Sequence, residues 1–329
     1  MKIQDLRLLR LNLGAHFSRL STLHGSFFLS LCCCHSTSSR RLHTMTDAET
    51  FDHLAYAASH VDVLKHTAWR ALLSAMQFQH KDGITVVDAF CGRGAYDLGE
   101  QESGEYEKGI LRVHDKIEGA PKPVQHYYQI VKGFDTYFQN YPGSPVITDR
   151  MMRKQDEHRL VDLYEETVEG LRGDNWEFVQ DDAFDPEALD FLVPDNGKHP
   201  VILIDPSYAD GEDFYRAKCL MEAILKKRKD ATVMISFPLI HGSRYRWGYL
   251  KGLKEDSKKL VKTGYYACSM TVHQTGIQGN GVFIANAPKN FDEVGMDEET
   301  VNWLSATMVK SGRSDFSLDH WVKKLKPKT

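Results

Sequence analysis

The chain has no Cys-x-x-Cys pair and no His-Glu-x-x-His. No apolar run reaches the roughly 18 residues that a bilayer-spanning helix needs. Its six cysteines form no framework: Cys32, Cys33 and Cys34 are adjacent, and Cys91, Cys219 and Cys268 are scattered. That excludes a zinc site or disulfide scaffold of recognisable spacing and points to a reducing compartment. His53, His60 and His66 lack zinc spacing too, so no metal is expected. There is no internal repeat, and a dinucleotide fingerprint is incomplete. Gly92 and Gly94 form a Gly-x-Gly, but Asp97 stands where the third glycine belongs.

Acid is nearly absent from the first 45 residues. Six of the chain's 41 basic residues lie there, with Asp5 alone of its 45 acidic ones, leaving the remainder at a net charge of −9. Basic, Ser-rich and acid-poor is the composition of an organelle transit peptide. Residues 1–45 are therefore expected to be a leader directing import into a mitochondrion or plastid. Two alternatives stand beside it. "SFFLSLCCC" could serve as the h-region of a secretory-type or bipartite plastid signal, or Met45 could be the true start, giving a cytoplasmic protein. The acidic body argues against bulk grip on nucleic acid, so any such contact must be a local basic patch.

What is present is an ordinary globular composition, 42% hydrophobic and 26% charged over 329 residues. Apolar residues at helical spacing predict an amphipathic helix over Ser59–His80. "ITVVDAF" from Ile84 to Phe90 reads as a strand leading into the glycine turn "CGRGAY". Further strands are expected at Trp176–Gln180, Val201–Ile204 and from Ala231, with a helix over Asp213–Lys229 between the last two. "YYACSMTVH" and "GVFIANAP" read as an antiparallel pair. Alternating strands and helices predict an α/β fold with a mostly parallel sheet. The stretch of about residues 98–145 fits poorly as one crossover; its second part, "VQHYYQIVKGFDTYFQNYPGSP", is aromatic-rich and helical in pattern and reads as a helical insertion over the ligand edge, most of its rings serving as ordinary core.

Ligands of such sheets bind at the carboxyl ends of the strands, where the motifs cluster. Asp88 ends the first strand. Gly92 and Gly94 permit close backbone approach. Asp181 and Asp182 follow a later strand and could accept an adenine amine, or cap a helix. Asp162 is either a strand-end acid for ribose hydroxyls or a surface acid in a charged helix. "VILIDPSY" delivers Asp205, Pro206 and Tyr208 in succession. An exocyclic adenine amine is a poor nucleophile, because its lone pair is delocalised into the ring. Asp205 and the rigid Pro206 carbonyl can hold its hydrogens and turn the lone pair toward a methyl donor, while Tyr208 offers a face for a flipped base. "KKRK" at Lys226–Lys229 reads as a solvated helix end. "RYRW" at Arg244–Trp247 either touches RNA or packs.

"HVDVLKH", "DAFCGRGAY", "SGEY", "YPGSP", "ILIDPSY" and "GVFIANAP" together resemble the bacterial RlmJ family, from about Phe51 to Val322. The resemblance implies a Rossmann-like S-adenosylmethionine-dependent methyltransferase sheet occupying residues 46–329, with the helical insertion inside it. It implies N6-methylation of an adenine in 23S-type rRNA by a monomer that requires neither metal nor membrane. It assigns cofactor contact to His66, Lys65, Phe90, Gly92, Ser144, Asp162, Asp182 and Ala183, catalysis to Asp205, Pro206 and Tyr208, and the substrate base to Phe51 and Tyr208. The chain departs from the family at Phe90 (for His), Asp162 (for Glu), Ala183 (for Gly), Ser207 (for Pro) and Tyr56 (for His). Methylation of DNA adenine or protein glutamine, and RNA binding without catalysis, are the competing expectations.

Overall fold

A computed structural model of the chain describes residues 53–163, 176–240, 245–272, 277–309 and 315–323. Eight strands form its main sheet: β1 Ile84–Asp88, β2 Glu157–Asp162, β3 Trp176–Gln180, β4 His199–Ile204, β5 Thr232–Ile240, β6 Gly264–Thr271, β7 Ile277–Ala285 and β8 Asp315–Val322. Their spatial order is β8-β6-β7-β5-β4-β1-β2-β3. The five from β5 to β3 run parallel. The other three join antiparallel, with β7 inserted between β5 and β6.

Alternation along the central strands places apolar groups on both faces. Val86 of β1 and Val201 and Leu203 of β4 enter one core, and Val87, Ile202 and Ile204 enter the other. A strand buried on both sides reads as a continuous apolar run, as these segments do. On the first face lies α1, His60–Gln79, whose Ser59 side chain accepts the Val61 N–H as an N-cap. Buried Trp69 of α1 donates its indole N–H to Thr148 at 2.9 Å, fixing α1 to a short helix, Ser144–Asp149. The opposite face is covered by helices Asp213–Lys227 and Tyr245–Leu260.

The aromatic-rich part of residues 98–145 is helical only up to Phe134. A helix spans Lys122–Phe134 and stops at Asp135, whose carboxylate accepts the N–H groups of Tyr137 and Asn140. Asn140–Pro142 then pairs antiparallel with Ala95–Asp97. Tyr127 and Tyr141 are wholly buried, while Tyr137 is exposed. Strand β1 ends at Asp88, which leaves Phe90 in the loop beyond it.

Candidate active site at the carboxyl edge of the sheet

The parallel topology sets the site out in a row. Moving outward from β4, the edge carries Asp205 after β4, the glycine turn after β1, Asp162 at the end of β2, and Asp182 after β3. Asp162 is thereby resolved as a strand-end acid, and its carboxylate accepts the Gly92 N–H at 2.8 Å. Gly92 has φ +56°, a conformation that favours glycine. At Gly143, a Cβ would come within 2.3 Å of the Arg93 carbonyl, so the turn and the segment leading to Ser144 can close only on a glycine.

A cleft opens over β4 and β5, lined by His53, Asp62, Lys65, Tyr96, Asp205, Pro206, Ser207, Tyr208 and Asn280, among others. The Lys65 ammonium sits in it between two carboxylates, 2.7 Å from Asp205 and 2.7 Å from Asp62. Burial opposes charge on Lys65, but Asp205 and Asp62 outweigh it and hold its pKa well above the ordinary lysine range. Burial likewise opposes ionisation of Asp62, but Lys65 and the Ala58 N–H hold its carboxyl below the usual value. Lys65, expected at the cofactor, is therefore placed on Asp205 itself.

Tyr208 occupies the left-handed region at φ +55°. Its hydroxyl donates to the Ser236 carbonyl at 2.7 Å, and its ring packs on Phe214 with centroids 4.6 Å apart. The ring is consequently fixed in the wall of the cleft. Ser207, standing for a proline, accepts the Ala209 N–H through its hydroxyl at 3.4 Å and so supports the same turn.

Below the turn lie polar groups that the fold buries. The Nδ1 of His66 shares a hydrogen bond with the Tyr141 hydroxyl at 2.7 Å, while its Nε2 has no partner. Burial pushes His66 down to about 3, so the ring is neutral. Asp88 is fully buried, and neither carboxylate oxygen makes a well-aligned hydrogen bond. Burial pushes its carboxyl up to about 7 against the opposing pull of nearby Ser144. Ser144 and Ala183 are buried beside this edge. Asp182 accepts the Phe184 N–H at 2.9 Å and pairs with Arg216 at 2.9 Å. Phe90 packs against Phe184 at 4.7 Å between ring centroids.

Phe51, the leader 1–45 and the side chains of Arg244–Trp247 lie outside the described residues. Lys226, Lys227 and Arg228 are ion-paired to Glu222, Asp190 and Asp230 at a helix end remote from the cleft in sequence and topology. Sequence reasoning missed Asp62, whose only signal was its i, i+3 spacing to Lys65. It also missed Asn280, which β7 brings into the cleft from 75 residues beyond Asp205. The Asn280 amide donates to the Val61 carbonyl at 3.1 Å, so its unpartnered Oδ1 is fixed in orientation.

A family model described as "Ribosomal RNA large subunit methyltransferase D, RlmJ" matches residues 81–322. Among curated proteins, the chain is similar to "Ribosomal RNA large subunit methyltransferase J" of Haemophilus influenzae, at 25% identity over 83% of this chain and 98% of that one. The protein of the same name from Escherichia coli is 24% identical over the same shares. Among solved structures, a Legionella pneumophila protein superposes with a TM-score of 0.70 at 22% identity, covering 80% of this chain and 97% of its own, and shares the fold.

Proposed function

The chain belongs to the RlmJ family of ribosomal RNA large subunit methyltransferases, and on that premise we propose that it transfers a methyl group from S-adenosylmethionine to N6 of an adenine in large-subunit rRNA. The observation that carries the reading is the placement of Asp205, Pro206 and Tyr208 in the wall of one cleft, with a charged Lys65 on Asp205.

The residues along the edge fit the cofactor. His66 Nε2 is a buried polar atom without a hydrogen-bond partner, and such an atom calls for a ligand or water. The Gly92 turn brings backbone close to the same edge. His66, Gly92, Ser144, Asp162, Asp182 and Ala183 would hold the cofactor, with Phe90 providing an apolar surface. When bound, it supplies an electrophilic methyl on a sulfonium. Metal ligands in a cluster are absent among the described residues.

The chain's own part is positioning and charge. The Asp205 carboxylate accepts one N–H of the exocyclic amine and the Pro206 carbonyl accepts the other, so the nitrogen lone pair is directed out of the ring plane. As nitrogen gains positive charge, the Asp205 carboxylate stabilises it and can hold the departing proton at Oδ. Lys65 keeps Asp205 in place until the amine arrives, and its side chain shields the carboxylate from water. Tyr208 and Pro206 present an apolar wall against which the base is held.

Incubating the protein with S-adenosylmethionine and unmodified large-subunit rRNA should yield N6-methyladenosine by mass spectrometry of digested RNA, with Asp205→Asn reducing turnover at least about 100-fold. Methylation of DNA or protein instead, or full activity in Asp205→Asn, would overturn the reading.

A further inference from the structure

Arg216 lies on the helix that follows the Asp205 turn, yet its guanidinium reaches across to the loop after β3. It is 2.9 Å from Asp182 and 3.6 Å from Asp213, and it stands 4.1 Å over the Phe184 ring. Phe184 in turn packs on Phe90. Phe184 thus contacts both Phe90, tilted 51° to it, and Arg216, which is tied to a carboxylate whose second oxygen is already held by the Phe184 N–H. Each oxygen of Asp182 therefore has one partner and a fixed direction, and each retains accepting capacity.

The order of groups along the sheet edge gives this corner a meaning. A ligand laid across it from Asp205 passes the glycine turn and then Asp162, and reaches Asp182 last. The far end of such a ligand is its base. A carboxylate there accepts from an exocyclic amine and repels a carbonyl in the same place. The choice is sharp only if the carboxylate cannot swing away, and the guanidinium 2.9 Å from it holds it in place.

We propose that Arg216 is a specificity-determining residue that fixes Asp182 to select an amino-purine over an oxo-purine in the cofactor pocket. The proposal rests on the S-adenosylmethionine reading above. Arg216 acts through Asp182 and is a positioning residue. An arginine suits the role because its planar face lies on Phe184 while its edge meets the carboxylate, which lysine cannot do.

Calorimetry with the full chain and two probes, S-adenosylhomocysteine and S-inosylhomocysteine, separates the possibilities. The wild type should bind the adenosyl compound about tenfold or more tightly, the worth of one hydrogen bond to a charged group. Arg216→Ala should weaken the adenosyl compound about tenfold and the inosyl compound less than twofold, so that selectivity collapses. Arg216→Lys should restore part of it. Equal weakening of both probes would assign Arg216 to packing and overturn the proposal, as would unchanged selectivity. A wild type that binds the adenosyl probe while Arg216→Ala leaves selectivity intact defeats this inference alone. A wild type that binds neither probe defeats the cofactor reading with it.

Discussion

At the scale of single residues, the decisive group is Lys65. One ammonium is paired with two carboxylates in a partly buried cleft. Replacing it with methionine leaves Asp62 and Asp205 facing one another without a cation. Asp62 then loses the cation that holds its carboxyl down, so it takes up a proton at higher pH. Lys65→Met should therefore lower turnover and move the acidic limb of the rate–pH profile upward by about one unit. Lys65→Arg should leave that limb near its original place. An unmoved limb in Lys65→Met, in protein that melts normally, would remove Lys65 from the chemistry.

At the scale of elements, the turn that joins β7 to the rest of the sheet depends on Asn286. Its backbone has φ +53°, and its amide is buried. The side-chain oxygen accepts the N–H groups of Lys262 at 2.7 Å and Thr263 at 3.0 Å. The nitrogen donates to the carbonyls of Lys229 at 3.1 Å and Ala231 at 2.7 Å. One side chain thus ties the starts of β5 and β6 to the end of β7. Asn286→Ala strands several of these groups, and each buried orphan costs about 1–3 kcal/mol. A loss of roughly 3 kcal/mol or more in urea unfolding is expected, with the m-value unchanged. Asn286→Gly relieves the backbone at positive φ but not the lost bonds, so it should recover only a small part. The same brace holds β7, and with it Asn280, against the cleft.

At the scale of the whole molecule, acid sensitivity follows from buried histidines. Burial lowers His60 to about 4 and His66 and His158 to about 3. Each takes up a proton on unfolding at a pH where the folded form resists it. The stability they contribute is full above about pH 6.5 and is lost as pH falls toward their folded values. Asp88, raised to about 7, works the other way. Its protonation relieves the fold between about pH 7 and 4. His199, also lowered to about 4 by burial, adds to the histidine side, so stability falls as pH drops below about 6.5, by on the order of 1.4 kcal/mol per pH unit for each net proton taken up on unfolding. The melting temperature should drop steadily from pH 6.5 to 4.5. His158→Leu, remote from the cleft residues in the sheet, should flatten that slope by about one proton, and a parallel curve would show His158 to be charged in the fold. For the amino-terminal segment, we propose import into an organelle, supported by its basic, acid-poor composition. Residues 1–44 fused to a fluorescent protein should enter mitochondria or plastids, and a chain starting at Met45 should retain methyl transfer. A cytosolic fusion would defeat the proposed compartment while leaving the reaction in place.

Local sequence determined the elements whose signal is local. The apolar runs of β1, β4 and β5 declare strands buried on both faces, Ser59 and the spacing after it declare α1, and Asp205-Pro206-Ser207-Tyr208 declares its chemistry in four adjacent residues. The strand β8 escaped notice because its alternating, half-exposed pattern is that of an edge. The helical pattern after Phe134 misled because Asp135 captures two backbone N–H groups there, a choice that propensity does not display. Asp162 stood equally well as helix surface or strand end until its strand paired with β1 and β3. Only the tertiary structure decided which groups meet: Lys65 with Asp205 across 140 residues, Asn280 with Val61 across 219, and Arg216 with Asp182 across 34. Such pairs depend on the order in which strands assemble into the sheet, and that order is set by burial of both faces at once rather than by any neighbourhood along the chain.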